Sequence, residues 1–457
     1  MSKQLAAGFA LACVALPCIA QAQPAPNDIQ QLRQEIDALR AGYEARLRAL
    51  EERLKAAEVA AVPPPAAAAP PAAPPAGQGT PAGANAFNPA VSLILSGLYA
   101  RTSQDPARYT IAGFALPVDA EIGPGSRGFG LAESELGISA SIDPWWRGSA
   151  HIALHADDSV SVEEAFVQTT ALGNGLTLKA GRFFSSVGYL NAQHAHTWDF
   201  VDNPLAYQAL LGTQYGDDGV QLKWLAPTDL FVEVGLELGR GRGFPGDGGS
   251  RNGAGASALS LHLGDDVGTS HSWRAGVSVL HARAADQRLQ ATASNGDPVE
   301  TAFNGRTRVW IADAVWKWAP NGNATRTSFK LQGEYLRASR TGELTYDPSG
   351  AASTAAFGGV QSGWYLQAVY QFMPAWRVGL RTERLDPGTP DAGTNAGLYA
   401  IATERPRKNS LMLDFNPSEF SRIRLQVARD RAGPGPADNQ LFLQYQMSLG
   451  AHGAHAY

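Results

Sequence analysis

Asn439-Gln-Leu-Phe-Leu-Gln-Tyr-Gln-Met447 decides the fold of this chain. Leu441, Leu443 and Tyr445 fall on one face and Gln440, Gln444 and Gln446 on the other, the two-residue period of a strand with unlike faces. Working outward, the same pattern recurs in Val91-Ser-Leu-Ile-Leu-Ser-Gly-Leu-Tyr99, Thr325-Arg-Thr-Ser-Phe-Lys-Leu-Gln-Gly-Glu-Tyr335 and Trp364-Tyr-Leu-Gln-Ala-Val-Tyr-Gln-Phe372. Sixteen such segments follow one another from about residue 90 to the C-terminus. None is long or apolar enough for a membrane helix, and the pattern predicts an all-β, sixteen-stranded antiparallel transmembrane β-barrel.

The segments are predicted at 90-101, 129-142, 146-157, 160-171, 176-185, 218-226, 230-239, 257-264, 272-283, 307-319, 325-337, 362-373, 376-385, 407-416, 421-429 and 439-450. Asp143-Pro-Trp-Trp146, Gly173-Asn-Gly175, Pro227-Thr-Asp229, Ala319-Pro-Asn-Gly-Asn323, Met373-Pro-Ala375 and Asn416-Pro-Ser-Glu419 carry turn chemistry and assign one end of the barrel to short turns. The opposite end is expected to carry long Gly-rich connections after the first, fifth, seventh, ninth, eleventh and thirteenth segments. Leu136, Ile152, Val234, Val277, Trp310, Leu413, Leu425 and Leu443 belong to the predicted lipid face. Trp145, Trp146, Trp224, Trp273, Trp318 and Trp376 are placed to form interfacial girdles.

Composition agrees with one lipid face and one wet face. The chain is 17% charged with net charge -5, and holds 49 glycines and 10 tryptophans. Nothing in that balance calls for nucleic acid. Both cysteines, Cys13 and Cys18, lie in a stretch that reads as a secretory signal over residues 1-22: Lys3, an apolar run and Ala20-Gln-Ala22. The mature chain then has no thiol for a disulfide or a metal site. Residues 23-58 predict a short periplasmic coiled coil, with Ile29, Leu32, Ile36, Leu39, Tyr43, Leu47, Leu50 and Leu54 at steps of three and four; its apolar seam calls for an oligomer, expected to be a homotrimer although the seam does not fix the number. A lone amphipathic helix is the alternative for this stretch. Residues 59-86 are a Pro/Ala/Gly-rich linker, and 87-457 the barrel.

The phase opposite the lipid face is polar. It presents Arg377, Arg381, Arg422 and Arg424 as a basic arc, and Glu133, Glu135, Glu233 and Glu237 on another wall. Lys179 and Arg182 are added as pore-lining cations. Opposed charged walls select polar solutes and penalise apolar ones. The connection from Ser185 to Gly216 is too aromatic for a solvated loop, so it is expected to fold inward as a constriction and bring Asn191, His194, His196, Asp199 and Asp202 to the solute path. His194 and His196 are also weak candidates for a metal, as are His151 with His155 and His452 with His455; along a strand a spacing of four places side chains roughly 13 Å apart, too far for one ion without ligands from a loop. No cofactor is expected, and no motif for catalysis is present in the mature chain.

Phe87-Asn-Pro89 before the first segment, Glu164-Ala-Phe-Val167, Leu178-Lys-Ala-Gly-Arg-Phe183 after a Gly-Asn-Gly turn, and the terminal Tyr457 together resemble the outer-membrane porins of the phosphate-selective porin O and P type. The resemblance implies a trimeric sixteen-stranded porin with an inward third loop, and a terminal aromatic read by the barrel-assembly machinery. It does not extend to phosphate selectivity, since no dense ladder of lysine and arginine is present. The expected function is passive diffusion of small hydrophilic solutes, anionic ones among them, through the bacterial outer membrane. Outer-membrane lipid and lipopolysaccharide would surround the barrel. A divalent metal (zinc) channel and an envelope-tethering structural protein are the alternatives.

Overall fold

The computed structural model describes residues 89–450 except 251 and 403. The signal, coiled coil and linker at 1-22, 23-58 and 59-86 lie outside the described residues, as do Phe87, His452, His455 and Tyr457.

Seventeen strand elements form one antiparallel sheet: β1 (Ala90–Thr102), β2 (Gly128–Leu131), β3 (Ser134–Ser141), β4 (Trp146–Leu154), β5 (Val160–Thr169), β6 (Leu176–Phe184), β7 (Gly216–Leu225), β8 (Phe231–Gly239), β9 (Ala256–Val267), β10 (His271–Thr292), β11 (Pro298–Trp318), β12 (Ser328–Tyr346), β13 (Ser353–Met373), β14 (Trp376–Asp386), β15 (Arg407–Ser418), β16 (Ser421–Arg431) and β17 (Asp438–Gly450). β2 and β3 are one stave interrupted at Ala132 and Glu133, because both pair with β1. β1 also pairs with β17, from Ser92 opposite Gly450 to Thr102 opposite Gln440, and so closes a barrel of sixteen staves with no free edge.

Alternation gives the wall its two faces. Leu380, Leu411, Leu425 and Leu443 are exposed on the outside, while Arg381, Met412, Arg424 and Phe442, one residue away in each strand, are 1% exposed or less. The short-turn end falls where turn residues predict it. In Gly173-Asn-Gly175 all three residues have positive φ, and a Cβ on Gly175 would meet the carbonyl oxygen of Leu225 at 2.0 Å, so glycine is required there.

At the other end two expectations change. The stretches 284-306 and 338-361 are strand rather than long connection: β10 to β13 run to 22, 21, 19 and 21 residues and turn tightly at 293-297 and 347-352. Their alternation continues past the apolar band with arginine and small residues outside, which conceals it from a reading based on hydrophobic period. The inner face is also not uniformly polar. Leu280, Val309, Ile311, Leu336 and Leu385 of the wall cluster with Val187, Leu190, Leu205 and Leu211 of the segment after β6, and with Ile111, Phe114 and Leu116 of the segment after β1. The segment after β6 contains a 3-10 turn (Ala195–Thr197) and one short α-helix, α1 (Leu205–Leu211), ended by Gly212 in the left-handed region.

Candidate functional site

The segment 185-215 is held by the inner face of the wall through two charge clusters of opposite sign. In the first, the segment supplies the acids. Asp199 pairs with Lys330 of β12, lies 3.6 Å from Arg377 of β14, and accepts a hydrogen bond from Gln367 Nε2 at 3.0 Å. Asp202 pairs with Arg381 at 2.8 Å and Lys408 at 2.6 Å, and accepts from Gln426 Nε2 at 2.9 Å. The Arg381 guanidinium also covers the Phe200 ring at 4.6 Å. Arg424 is fixed by Asp414 at 2.7 and 2.9 Å and donates to the Trp198 carbonyl. Burial works to raise both segment acids, but the cations prevail: Lys330 and Arg377 hold Asp199 down at about 2, and Lys408 with Arg381 keeps Asp202 below the ordinary carboxylate range.

In the second cluster the segment supplies the imidazoles. His194 Nδ1 lies 3.0 Å from Glu135 Oε2 and 3.1 Å from Glu163 Oε2, and its Nε2 is 3.0 Å from Glu164 Oε2. His196 Nδ1 is 3.1 Å from the same Glu135 oxygen, and His151 of β4 meets Glu135 Oε1 at 2.6 Å. Burial opposes a charge on His194, yet the carboxylates of Glu135, Glu163 and Glu164 raise its pKa well above the usual value. Glu163 and Glu164 both reach it because of a bulge. His151 pairs with Glu164 and Ile152 with Val162, so Glu163 is an extra residue that turns inward beside its neighbour.

Carboxylates of the wall that accept from neutral donors of the segment complete the seating. Glu334 of β12 accepts from the backbone of Tyr189 and Leu190 and from the hydroxyls of Tyr207 and Tyr365. Glu237 accepts from the backbone and hydroxyl of Ser186, and Glu383 from the backbone of Leu205.

The residues expected at the solute path divide as follows. His194 and His196 do not join Asp199 and Asp202; the pairs go to different clusters, separated by the 3-10 turn Ala195–Thr197 and the extended Trp198 that ends it. Asn191 is fully buried, bonding Ser185 and Tyr215 across the neck of the segment, so it closes the loop rather than facing a solute. Arg182 is not in the lumen: it shares the outward phase with Asp218, its partner at 2.7 Å. Lys179 is inward, with Nζ 4.1 Å from the Phe166 ring centroid. Glu233 pairs with Lys223 at 3.2 Å, and Arg422 donates to the His196 carbonyl and to Gln446. Glu133, at the β2–β3 interruption, sits with Glu121 and His155, so His151 and His155 belong to separate groups.

Lys408, Glu163 and Glu164 were not singled out as site residues from the sequence. Lys408 shares the inward phase with Ser410, Met412 and Asp414, a signal present in the alternation. Two consecutive glutamates inside a strand break alternation, which marks a bulge.

No family model matches the chain. Distant likenesses in solved structures include OmpTdeltaL8, a loop L8 deletion mutant of an outer membrane protein of Vibrio cholerae (11% identity, TM-score 0.48, 79% of this chain and 99% of that one). Pseudomonas putida OprB gives 14% identity and 0.46 over 79% and 94%. An anion-selective porin from Comamonas acidovorans gives 12% and 0.46 over 79% and 99%. In sequence, an uncharacterized protein of Aquifex aeolicus (strain VF5) is 32% identical over 408 residues, covering 83% of this chain and 82% of that protein. Identity at that level, sustained across four fifths of both chains, is shared descent, and the chain belongs to the family of this Aquifex protein.

Proposed function

We propose that the chain is an outer-membrane porin for passive diffusion of small hydrophilic solutes, with the 185-215 segment as its constriction. One observation carries the reading: the wall is closed, apolar outside and charged inside, the arrangement expected of a lipid-embedded barrel around a polar path. The basic arc favours anionic solutes in this proposal, tempered by the acids that already occupy Arg381, Arg424 and Lys408. A homotrimer assembled through 23-58, and recognition of Tyr457 by the barrel-assembly machinery, are further parts of the proposal.

The outer surface above the apolar band supports a lipid environment with phosphorylated headgroups on that side. His281 and Arg283 of β10 lie opposite Arg308 and Arg306 of β11 and line one open concavity, and Arg407 lies between Arg384 and Arg431 on neighbouring strands. Among the described residues none of these arginines has an acid at salt-bridge distance. Like charges directly opposed across a ladder are destabilising unless an anion lies between them, and lipopolysaccharide phosphates fit that position.

Reconstitution of the purified full-length protein in planar bilayers tests the channel reading. Stepwise ohmic currents in chloride salts are expected; a protein that inserts and passes no current refutes it.

A further inference from the structure

The imidazole and carboxylate cluster at His194 has the geometry of a metal site. One ligand atom each from Glu135, His151 and His194 lies within 4.8 Å of the others. Glu163 Oε2 and Glu164 Oε2 stand at 3.1 and 3.0 Å from the two nitrogens of His194. For a metal bonded at about 2.0–2.2 Å, neighbouring nitrogen and oxygen ligands sit roughly 3 Å apart.

Hydrogen bonding leaves one carboxylate oxygen of this cluster without a partner. Glu135 is 3% exposed, and its Oε2 makes no hydrogen bond of acceptable geometry although Nδ1 atoms of His194 and His196 lie 3.0 and 3.1 Å away. A single N–H on His194 Nδ1 cannot serve both Glu135 and Glu163. Three carboxylates share one raised imidazole, His194, and among the described residues no lysine or arginine is within salt-bridge distance of Glu135, Glu163 or Glu164. Buried carboxylates in this number require a compensating positive charge. The bulge that turns both Glu163 and Glu164 inward is a local departure from regular pairing that brings both carboxylates to His194, while Glu164 Oε1 accepts from the Phe184 backbone.

We propose that Glu135, His151 and Glu163, with His194 through Nδ1, bind one divalent transition-metal cation, that Glu164 accepts from the Nε2–H of His194 and so orients the ring, and that the cation ties the 185-215 segment to the wall formed by β3, β4 and β5. Imidazole nitrogen with carboxylate oxygen, and no thiolate, suits Zn2+, Co2+, Ni2+ or Mn2+ and is a poor match for Ca2+. The proposal goes beyond the channel reading and does not depend on it, since the site is filled from residues of one chain whether or not current flows.

The test uses the full-length protein, purified without a histidine tag, stripped with chelator and titrated with ZnCl2. One tight Zn2+ per chain is expected by calorimetry and elemental analysis. Glu135→Gln and His194→Ala should each weaken it roughly 10–100-fold or more, whereas Asp199→Asn on the opposite wall, and His452→Ala with His455→Ala, should leave it unchanged. Bound Zn2+ should also slow proteolysis within 185-215. Where a variant fails to assemble, Co2+ added to the wild-type protein replaces it: visible absorption bands of nitrogen and oxygen ligation support the site. Zn2+ bound equally by wild type and His194→Ala, loss of binding with the His452 and His455 changes, or a featureless Co2+ spectrum overturns it.

Discussion

Replacing Asp202 with alanine removes the carboxylate that faces both Arg381 and Lys408, and its cost can be followed group by group. Arg381 and Lys408 are each 1% exposed, so neither can recover its lost partner from bulk water without moving the segment. Removing one member of a buried pair costs about 3–5 kcal/mol, mostly from the charge left behind. Here two charges are left, but neither is stranded: Arg381 retains Glu383 at 2.7 Å, and Lys408 retains Asp430 at 3.3 Å. The expected loss is therefore at the lower end, about 3 kcal/mol. At about 1.4 kcal/mol per tenfold, the released segment becomes roughly a hundredfold more populated relative to the seated one. Two assays read this directly: the frequency of conductance transitions in single-channel recordings, and the rate of protease cleavage mapped to 185-215. Combining Asp202→Ala with Lys408→Met should cost less than the sum of the two, since the second change removes a charge that the first left poorly paired. Transition frequency and cleavage rate both within twofold of wild type would refute the claim that Asp202 holds the segment.

Acid should release the same side of the segment with a defined sign. Asp199 is held at about 2, below its unfolded range near 3.8, so its contribution is present above pH 3.8 and fades as pH falls through about 2. The Asp199 contribution should accordingly stay constant between pH 7 and 4, with conductance transitions rising below that; an Asp199→Asn variant that keeps the wild-type rise below pH 4 would contradict the pairing. Gly188 has φ 69, and a Cβ there would stand 2.4 Å from Glu334 Oε2 and 2.7 Å from the Tyr207 hydroxyl. Gly188→Ala should cost about 1–3 kcal/mol and speed hydrogen exchange at Tyr189 and Leu190 while wall amides stay protected. Arg283→Glu with Arg306→Glu should reduce the phosphorylated lipid that copurifies with the protein, measured by mass spectrometry; undiminished lipid would remove the role given to this patch.

The strand count, the closing end and the lipid face were legible because each rests on a local period. Leu441, Leu443 and Tyr445 need only their own alternation to be placed outside. The register of β10 to β13 beyond the apolar band was not legible by the same means: once Arg283, Arg306 and Arg337 replace leucine on the outside, hydrophobicity no longer marks the face. Arg182 was misplaced for a related reason. Charge alone put it in the lumen, but it is three residues from inward Lys179 and therefore on the other face, with Asp218 beside it. Glu163 and Glu164 could have been noticed as a break in alternation, yet what they bond depends on β4 and on His194, thirty residues away, and no local rule reaches that far.

The split of His194 and His196 from Asp199 and Asp202 explains why the segment has one seat. Four ionisable residues close together in sequence look like a single site only while the wall is ignored. The wall has an acidic side, Glu135 with Glu163 and Glu164, and a basic side, Lys330 with Arg377, Arg381 and Lys408. The segment carries its bases first and its acids second, so only one direction of crossing pairs every charge. The reverse crossing would bring Asp199 and Asp202 against buried glutamates and leave His194 among arginines, a juxtaposition that costs several kcal/mol per contact. The neck bonds of Asn191 fix where the segment starts, the hub at Glu334 fixes its height, and charge order fixes its direction. Exchanging the order, with His194→Asp and His196→Asp combined with Asp199→His and Asp202→His, keeps composition and net charge and removes only this complementarity. The rearranged protein should still form a barrel, migrating as a compact species before heating, and should lose the protection of 185-215 from protease. Retained protection would mean that apolar contacts of Val187, Leu190 and α1 alone seat the segment, and that the charge order is incidental.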